Sequence, residues 1–151
     1  MRESPAWGVG ELSFLSVIEE ECTGNGTLAA CRAGVLGDAA VLLEPTDLGL
    51  LLGGTGIVWT EIEIDEDHPL VTALAAAHAD AHGEPPPRMV LGSTTDARYY
   101  LNQFGVPAVA YGPRSRNIHG TDEAVDLASI VSGARTMARF IAGFFASGGL
   151  R

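Results

Sequence analysis

Short apolar runs alternate along this chain with helix-patterned stretches, and that alternation limits the fold more than any other feature. ELSFLSVI (11–18) is rich in β-branched and aromatic residues and reads as a strand. GNGTLAACRAG then reads as a short helix opened near Thr27 and closed by Gly34, and DAAVLLEPTD as a buried strand that stops at Pro45. LGLLLGGTGIVWTEIEI gives two extended pieces, the second alternating as a half-buried strand does. HPLVTALAAAHADAHGEPPP is an Ala-rich helix begun by Pro69, with His68 as its cap, and ended by Gly83 and three prolines. A strand (RMVL), a helix (TTDARYYLNQF) and a strand (PAVAYG) follow. The last helix is expected from about Thr121, with Asp122 and Glu123 in its first turn, where they suit the helix dipole. Strands alternating with helices predict an α/β domain with a largely parallel sheet.

At 151 residues the chain is one domain's worth, with no internal repeat and no inter-domain linker. Its formal charge is −10 and every basic residue is Arg. So acidic a surface without a basic stripe excludes nucleic acid and anionic membrane as natural partners. No apolar run approaches the ~20 residues of a membrane span, and the first residues do not follow the pattern of a signal peptide, so a cytoplasmic protein is expected. Cys22 and Cys31 lack a CxxC spacing and are expected to be free thiols.

Residues 17–27, VIEEECTGNGT, end an apolar run on three consecutive glutamates, and adjacent carboxylates repel one another. Glu20 and Glu21 follow a predicted strand, the place where functional groups of α/β sheets collect. Glu44 ends another strand in LLEPT, and His119 precedes a helix in RNIHGTDE. Oxygen and imidazole donors of this kind suit zinc, and a divalent cation would offset the repulsion along Glu19–Glu21; a merely solvated acidic turn is the alternative. His78 and His82 stand at i and i+4 in HADAH, but without the glutamate of an H-E-x-x-H motif they read as solvated histidines on a helix surface. GGTG (53–56) is followed by no Lys and is not a nucleotide loop, and Cys22 has no histidine near it in sequence and reads as a packed small residue. Trp59 reads as a packing residue.

SVIEEECTGNGT, VLLEPTDL, GIVWTEIEI, GSTTDARYYLNQFGVPAVAYGP and NIHGTDEAVDL occur in the order found in the dinuclear zinc aminoacylases. The chain resembles this family from about residue 8 to about residue 146; its members include acetylornithine deacetylase, succinyl-diaminopimelate desuccinylase, aminoacylase and the glutamate-releasing carboxypeptidases. The resemblance implies a zinc-exopeptidase-like catalytic domain, a three-layer α/β sheet with helices on both faces. It also implies that Glu20 is the general base, that Glu21, Glu44 and His119 are zinc ligands, and that Thr95 and Asp96 shape the substrate end of the cleft. Arg98 would pair either with a substrate carboxylate or, in a structural role, within the chain. Two zinc ions, or cobalt in their place, are the implied cofactor, and a small N-acyl amino acid or peptide is the implied substrate.

The chain departs from the family pattern in two ways. The family's first metal histidine and its bridging aspartate come before the glutamate pair, and residues 1–18 contain neither His nor Asp. The family's lid domain would be inserted near residues 64–67, where EIEI instead runs straight into DEDHPLV. The expectation is therefore a single partial catalytic domain over 1–151: an amide hydrolase with an incomplete site, completed by self-association into a homo-oligomer. The alternative is a shortened, non-catalytic relative serving as a binding or oligomerisation module.

Overall fold

The computed structural model describes residues 10–55, 61–92 and 94–150. Among them, helices α1 (Asn25–Arg32), α2 (Pro69–His82) and α3 (Leu127–Ala146) are interleaved with strands β1 (Ala40–Leu42), β2 (Leu50–Thr55), β3 (Glu61–Glu63), β4 (Arg88–Leu91), β5 (Ala108–Ala110), β6 (Ser115–Arg116) and β7 (Ala124–Val125). A π-helical turn spans Tyr99–Gln103. Trp59, with the rest of the alternating run at 57–60, lies outside the described residues.

The main sheet is mixed rather than largely parallel. β1 runs parallel to β5, and β2 parallel to β4, while β2 is antiparallel to both β3 and β5. Gly53 of β2 pairs with Glu63 on one edge and Val90 on the other, and Leu51 pairs with both Met89 and Ala110. One edge of β2 is thus covered by β4, and the other by β5 and then β3. The antiparallel β2–β5 bridge is what a reading based on alternating elements could not supply, because it depends on where distant strands meet.

Local chemistry explains the helix ends. Pro69 occupies the first turn of α2, where its missing N–H is no loss, and the His68 ring nitrogen Nδ1 accepts from the Leu70 N–H at 3.1 Å. The helix stops at Gly83 in the left-handed conformation. α3 begins six residues later than its sequence suggests: Asp126, not a residue near Thr121, is its N-cap and accepts from the Ala128 N–H at 2.9 Å. Asp122 and Glu123 therefore lie outside its first turn. They precede β7, which pairs with β6 in a small hairpin (Ser115 with Val125, Arg116 with Ala124).

The segment expected as a first strand does not form one. Residues 11–17 have no regular structure, and Leu12, Phe14 and Ile18 are 50%, 80% and 75% exposed. β-forming composition becomes a strand only when the backbone finds a ladder partner, and no described strand pairs with this segment.

The apolar interior falls into two clusters. Leu50 and Leu52 of β2, Leu70, Val71 and Leu74 of α2, Val109, Tyr111 and Phe140 of α3 belong to one. Cys31 of α1 with Ala97, Tyr100, Val106 and Ala108 forms the other. β1 and β5 feed both by strand alternation: Val41 and Val109 pack into the first, Ala40, Leu42 and Ala108 into the second. Cys22 and Cys31 are free thiols, the first exposed and the second buried. No helix among the described residues is long and apolar enough to cross a membrane.

Candidate active site

The three glutamates of VIEEECT are separated by the turn they sit on. Glu19 takes a left-handed backbone conformation, φ 59°, and its carbonyl accepts from the N–H groups of Cys22, Thr23 and Gly24. Its carboxylate Oε2 accepts from the Thr23 hydroxyl at 3.0 Å and the Asn25 amide at 3.1 Å. Glu19 is thereby a brace for the turn. Glu20 points into partial burial, and Glu21 points outward, where Oε2 lies 3.3 Å from Nδ1 of His119. Turning successive carboxylates in different directions eases the repulsion that their sequence implies, though Glu21 still acts on Glu20.

Glu20 faces other carboxylates. Desolvation raises it above the usual glutamate range, with Glu44, then Asp96 and Glu21, adding to the rise, while Arg98 opposes it. Glu44, half-buried beyond the end of β1, is raised by burial and by the charges of Asp96 and Glu21. The Thr95 hydroxyl donates to Glu44 Oε1 at 3.0 Å and, with the charge of His119, works against that rise. The Glu44 turn is itself fixed by buried Thr46, which donates to the Gly49 carbonyl and accepts from the Gly112 N–H, both at 2.8 Å. His119 also has a left-handed backbone, φ 61°, in a loop where Asn117 and Asp122 do the same. Such conformations cost of order 1–3 kcal/mol each and cluster where a site over-determines the chain.

Behind these groups sits Asp96, 2% exposed. Its Oδ2 accepts from the Thr27 hydroxyl at 2.5 Å; its Oδ1 makes no hydrogen bond and faces an Arg98 guanidinium nitrogen at 3.7 Å. Arg98 donates to the Thr23 carbonyl and to the Tyr99 hydroxyl, each at 3.1 Å, with its guanidinium 4.6 Å from the Tyr99 ring centre. The Tyr99 hydroxyl donates to the same Thr23 carbonyl at 2.6 Å. Two donors thus hold the end of the turn that carries Glu20 and Glu21. The close fit needs Gly24, whose φ is 68° and at which a Cβ would lie 2.2 Å from Asp96 Oδ1 and 2.6 Å from the Tyr99 ring.

All seven residues singled out in the sequence fall in this region, from four segments far apart in the chain. Thr95, Asp96 and Arg98 have polar groups engaged inside the protein. Thr27, Thr46 and Tyr99 hold the site together and were not singled out by sequence; only the Thr of GNGT and the Thr of EPT hinted at them. As a zinc site the donor set is incomplete. Among the described residues no three His, Cys, Asp or Glu side chains gather closely enough to hold a metal ion, and Glu21 and His119 meet as a pair alone. The histidines of HADAH do not complete it: His78 is buried rather than solvated, and its ring stacks on that of His82.

The chain is 34% identical over 87 residues to the N-formyl-4-amino-5-aminomethyl-2-methylpyrimidine deformylase of Bacillus subtilis (strain 168), an alignment covering 57% of this chain and 20% of that protein. The chain thus spans about a fifth of the length of this curated relative. Residues 1–143, nearly the whole chain, match the model of peptidase family M20/M25/M40. A match of that extent shows the family: the chain belongs to peptidase family M20/M25/M40.

Proposed function

We propose that this chain carries the proton-transfer carboxylate and part of the metal-donor set of an amide hydrolase acting on small N-acyl amino acids or peptides. The observation that carries this reading is the meeting of Glu20, Glu21, Glu44 and His119, brought from three segments of a chain whose family is hydrolytic and metal-dependent. A formyl amide is the group removed by the relative from Bacillus subtilis, by its name, which makes formyl and acetyl amides the first substrates to try.

Glu20 is the group suited to moving the proton. It is half-buried, free of hydrogen bonds to the rest of the described chain, and raised toward neutrality, which brings a carboxylate closer to the ideal for general-base work. It takes a proton from the attacking water as oxygen bonds to the amide carbon, and returns that proton to the nitrogen as the C–N bond breaks. Glu44 is held by Thr95 and Glu21 by its contact with His119, and both stay available as anionic oxygen donors. Zinc is the metal these donors suit, but the described residues hold too few of them, so the remaining ligands come from outside these residues. A second copy of the chain is one source, and the arrangement is then a homo-oligomer. In this reading the fold is the family's three-layer catalytic domain, and β3 passes into α2 through residues 64–68 with no lid inserted.

The exposed side chains of Leu12, Phe14 and Ile18 favour the second reading, a binding or oligomerisation module. Hydrolysis decides between them. With micromolar zinc and high protein concentration, N-formyl and N-acetyl amino acids are expected to be hydrolysed, and Glu20→Gln to slow the reaction about a hundredfold without unfolding the chain. Hydrolysis indifferent to Glu20→Gln, or none at any concentration, would leave the binding module as the better account.

A further inference from the structure

The seam between α2 and α3 contains a polar cluster that the amide-hydrolase reading does not use. His78, 4% exposed, and His82 lie with their rings stacked, centres 4.1 Å apart and planes 14° from parallel. Nδ1 of His78 is 2.9 Å from the hydroxyl of Tyr111, just past β5, whose side chain is fully buried. Nε2 of His82 is 3.1 Å from the hydroxyl of Thr136 on α3, also fully buried, and 3.4 Å from that of Ser132. Thr136 also acts on Tyr111, opposing the rise that burial gives its phenol. The stacked histidines of α2 are thus tied at one end to a phenol just past β5 and at the other to a threonine of α3.

We propose that this cluster is an acid-sensitive latch on the α2–α3 seam: it holds while the histidine pair carries at most one proton and releases when both rings are charged. Coulomb repulsion gives the reason: parallel imidazolium rings with centres 4.1 Å apart leave no room for water between them to screen a second charge.

The surrounding charges do not rescue the doubly protonated state. Glu84, at the end of α2, favours an imidazolium at His78, but burial and then the charge of His82 outweigh it, and His78 is held below the usual imidazole range. Asp80, on the same helix, is engaged with Arg139 of α3 at 2.7 Å. Arg135, also on α3, adds positive charge on an exposed side chain. From β2 and β5, the interior that Tyr111 belongs to presents Leu50, Leu52 and Val109, which are apolar. The sign follows from linkage. His78 prefers to be neutral in the folded state, so its contribution is complete above about pH 6.5 and is lost as the pH falls toward its lowered folded value.

Histidine ring resonances of the intact chain, followed by NMR between pH 8 and 4.5 alongside amide hydrogen exchange, test this directly. One of the two rings is expected to take up its proton while amides around Thr136 to Phe140 stay protected. Protonation of the second is expected to coincide with loss of that protection. Two charged rings beneath fully protected seam amides would overturn the proposal. In His78→Gln the unfolding equilibrium constant is expected to lose a dependence of about tenfold per pH unit that the parent shows as the pH falls below about 6.5. An unchanged dependence would also overturn it. Should that variant fail to fold, the parent's NMR titration decides alone. Neither readout requires hydrolysis, so failure of the latch and failure of the hydrolase reading are separate results.

Discussion

Gly112→Ala is expected to cost about 4 kcal/mol, a large part of the 5–15 kcal/mol margin of an ordinary domain. A Cβ at position 112 would lie 1.8 Å from the Glu44 carbonyl oxygen and 2.7 Å from its carbon. These are backbone atoms in a turn fixed from both sides, so no side chain can swing away. Relief requires the strand end after β5 to withdraw from the Glu44 turn. Withdrawal breaks two buried bonds, from the Gly112 N–H to Thr46 at 2.8 Å and from the Leu48 N–H to the Gly112 carbonyl at 2.8 Å. Each unsatisfied buried group costs about 1–3 kcal/mol on top of the overpacking itself. Urea unfolding of the variant should show a much lower midpoint or no cooperative transition. A midpoint within experimental error of the parent would mean that the turn is far softer than its hydrogen bonds imply.

Asp96→Ala is expected to destabilise by about 3 kcal/mol, because it strands two partners at once. The Thr27 hydroxyl, 4% exposed, loses its acceptor, and the Arg98 guanidinium loses the carboxylate it pairs with. The 3.7 Å separation of Asp96 and Arg98 and the bare Oδ1 put the effect at the lower end of what breaking a buried ion pair costs. Asp96→Asn should cost less. Its amide oxygen can still accept from Thr27, and loss of the negative charge relieves Glu20 and Glu44, both of which Asp96 pushes upward. The two substitutions together separate the hydrogen bond from the charge. Equal losses for Ala and Asn would mean that the charge, not the Thr27 bond, carries the effect.

Much of this site was legible in the sequence because its parts sit in short segments with strong local signals. VIEEECTGNGT requires a turn to part its glutamates, and the chain supplies one with Glu19 and Gly24 both left-handed. α2 was legible because Pro69 and Gly83 mark its ends, and β4 because RMVL stands between prolines and a glycine. The failures have physical causes. Residues 11–18 have strand composition, but composition cannot say whether a ladder partner exists. Asp122 and Glu123 imitate the acidic first turn of a helix, whereas the residue whose side chain bonds the helix N-terminus is Asp126. The burial of His78 was invisible because an Ala-rich helix is apolar on nearly every face, leaving no stripe to say which side packs. Tyr99 was hidden for a different reason: its partner, the Thr23 carbonyl, is a backbone atom far away in the chain.

The central claim is that this chain holds a carboxylate site able to move a proton but only part of a metal-donor set. Zinc per chain tests it most directly, by elemental analysis after equilibration with micromolar zinc and desalting. For the monomeric chain the account predicts less than one zinc retained, with the retained fraction falling further in Glu21→Gln, because Glu21 and His119 are the only adjacent donor pair that the described residues bring together as an ion pair. Two zinc ions held tightly by each chain in a protein that sediments as a monomer would contradict it.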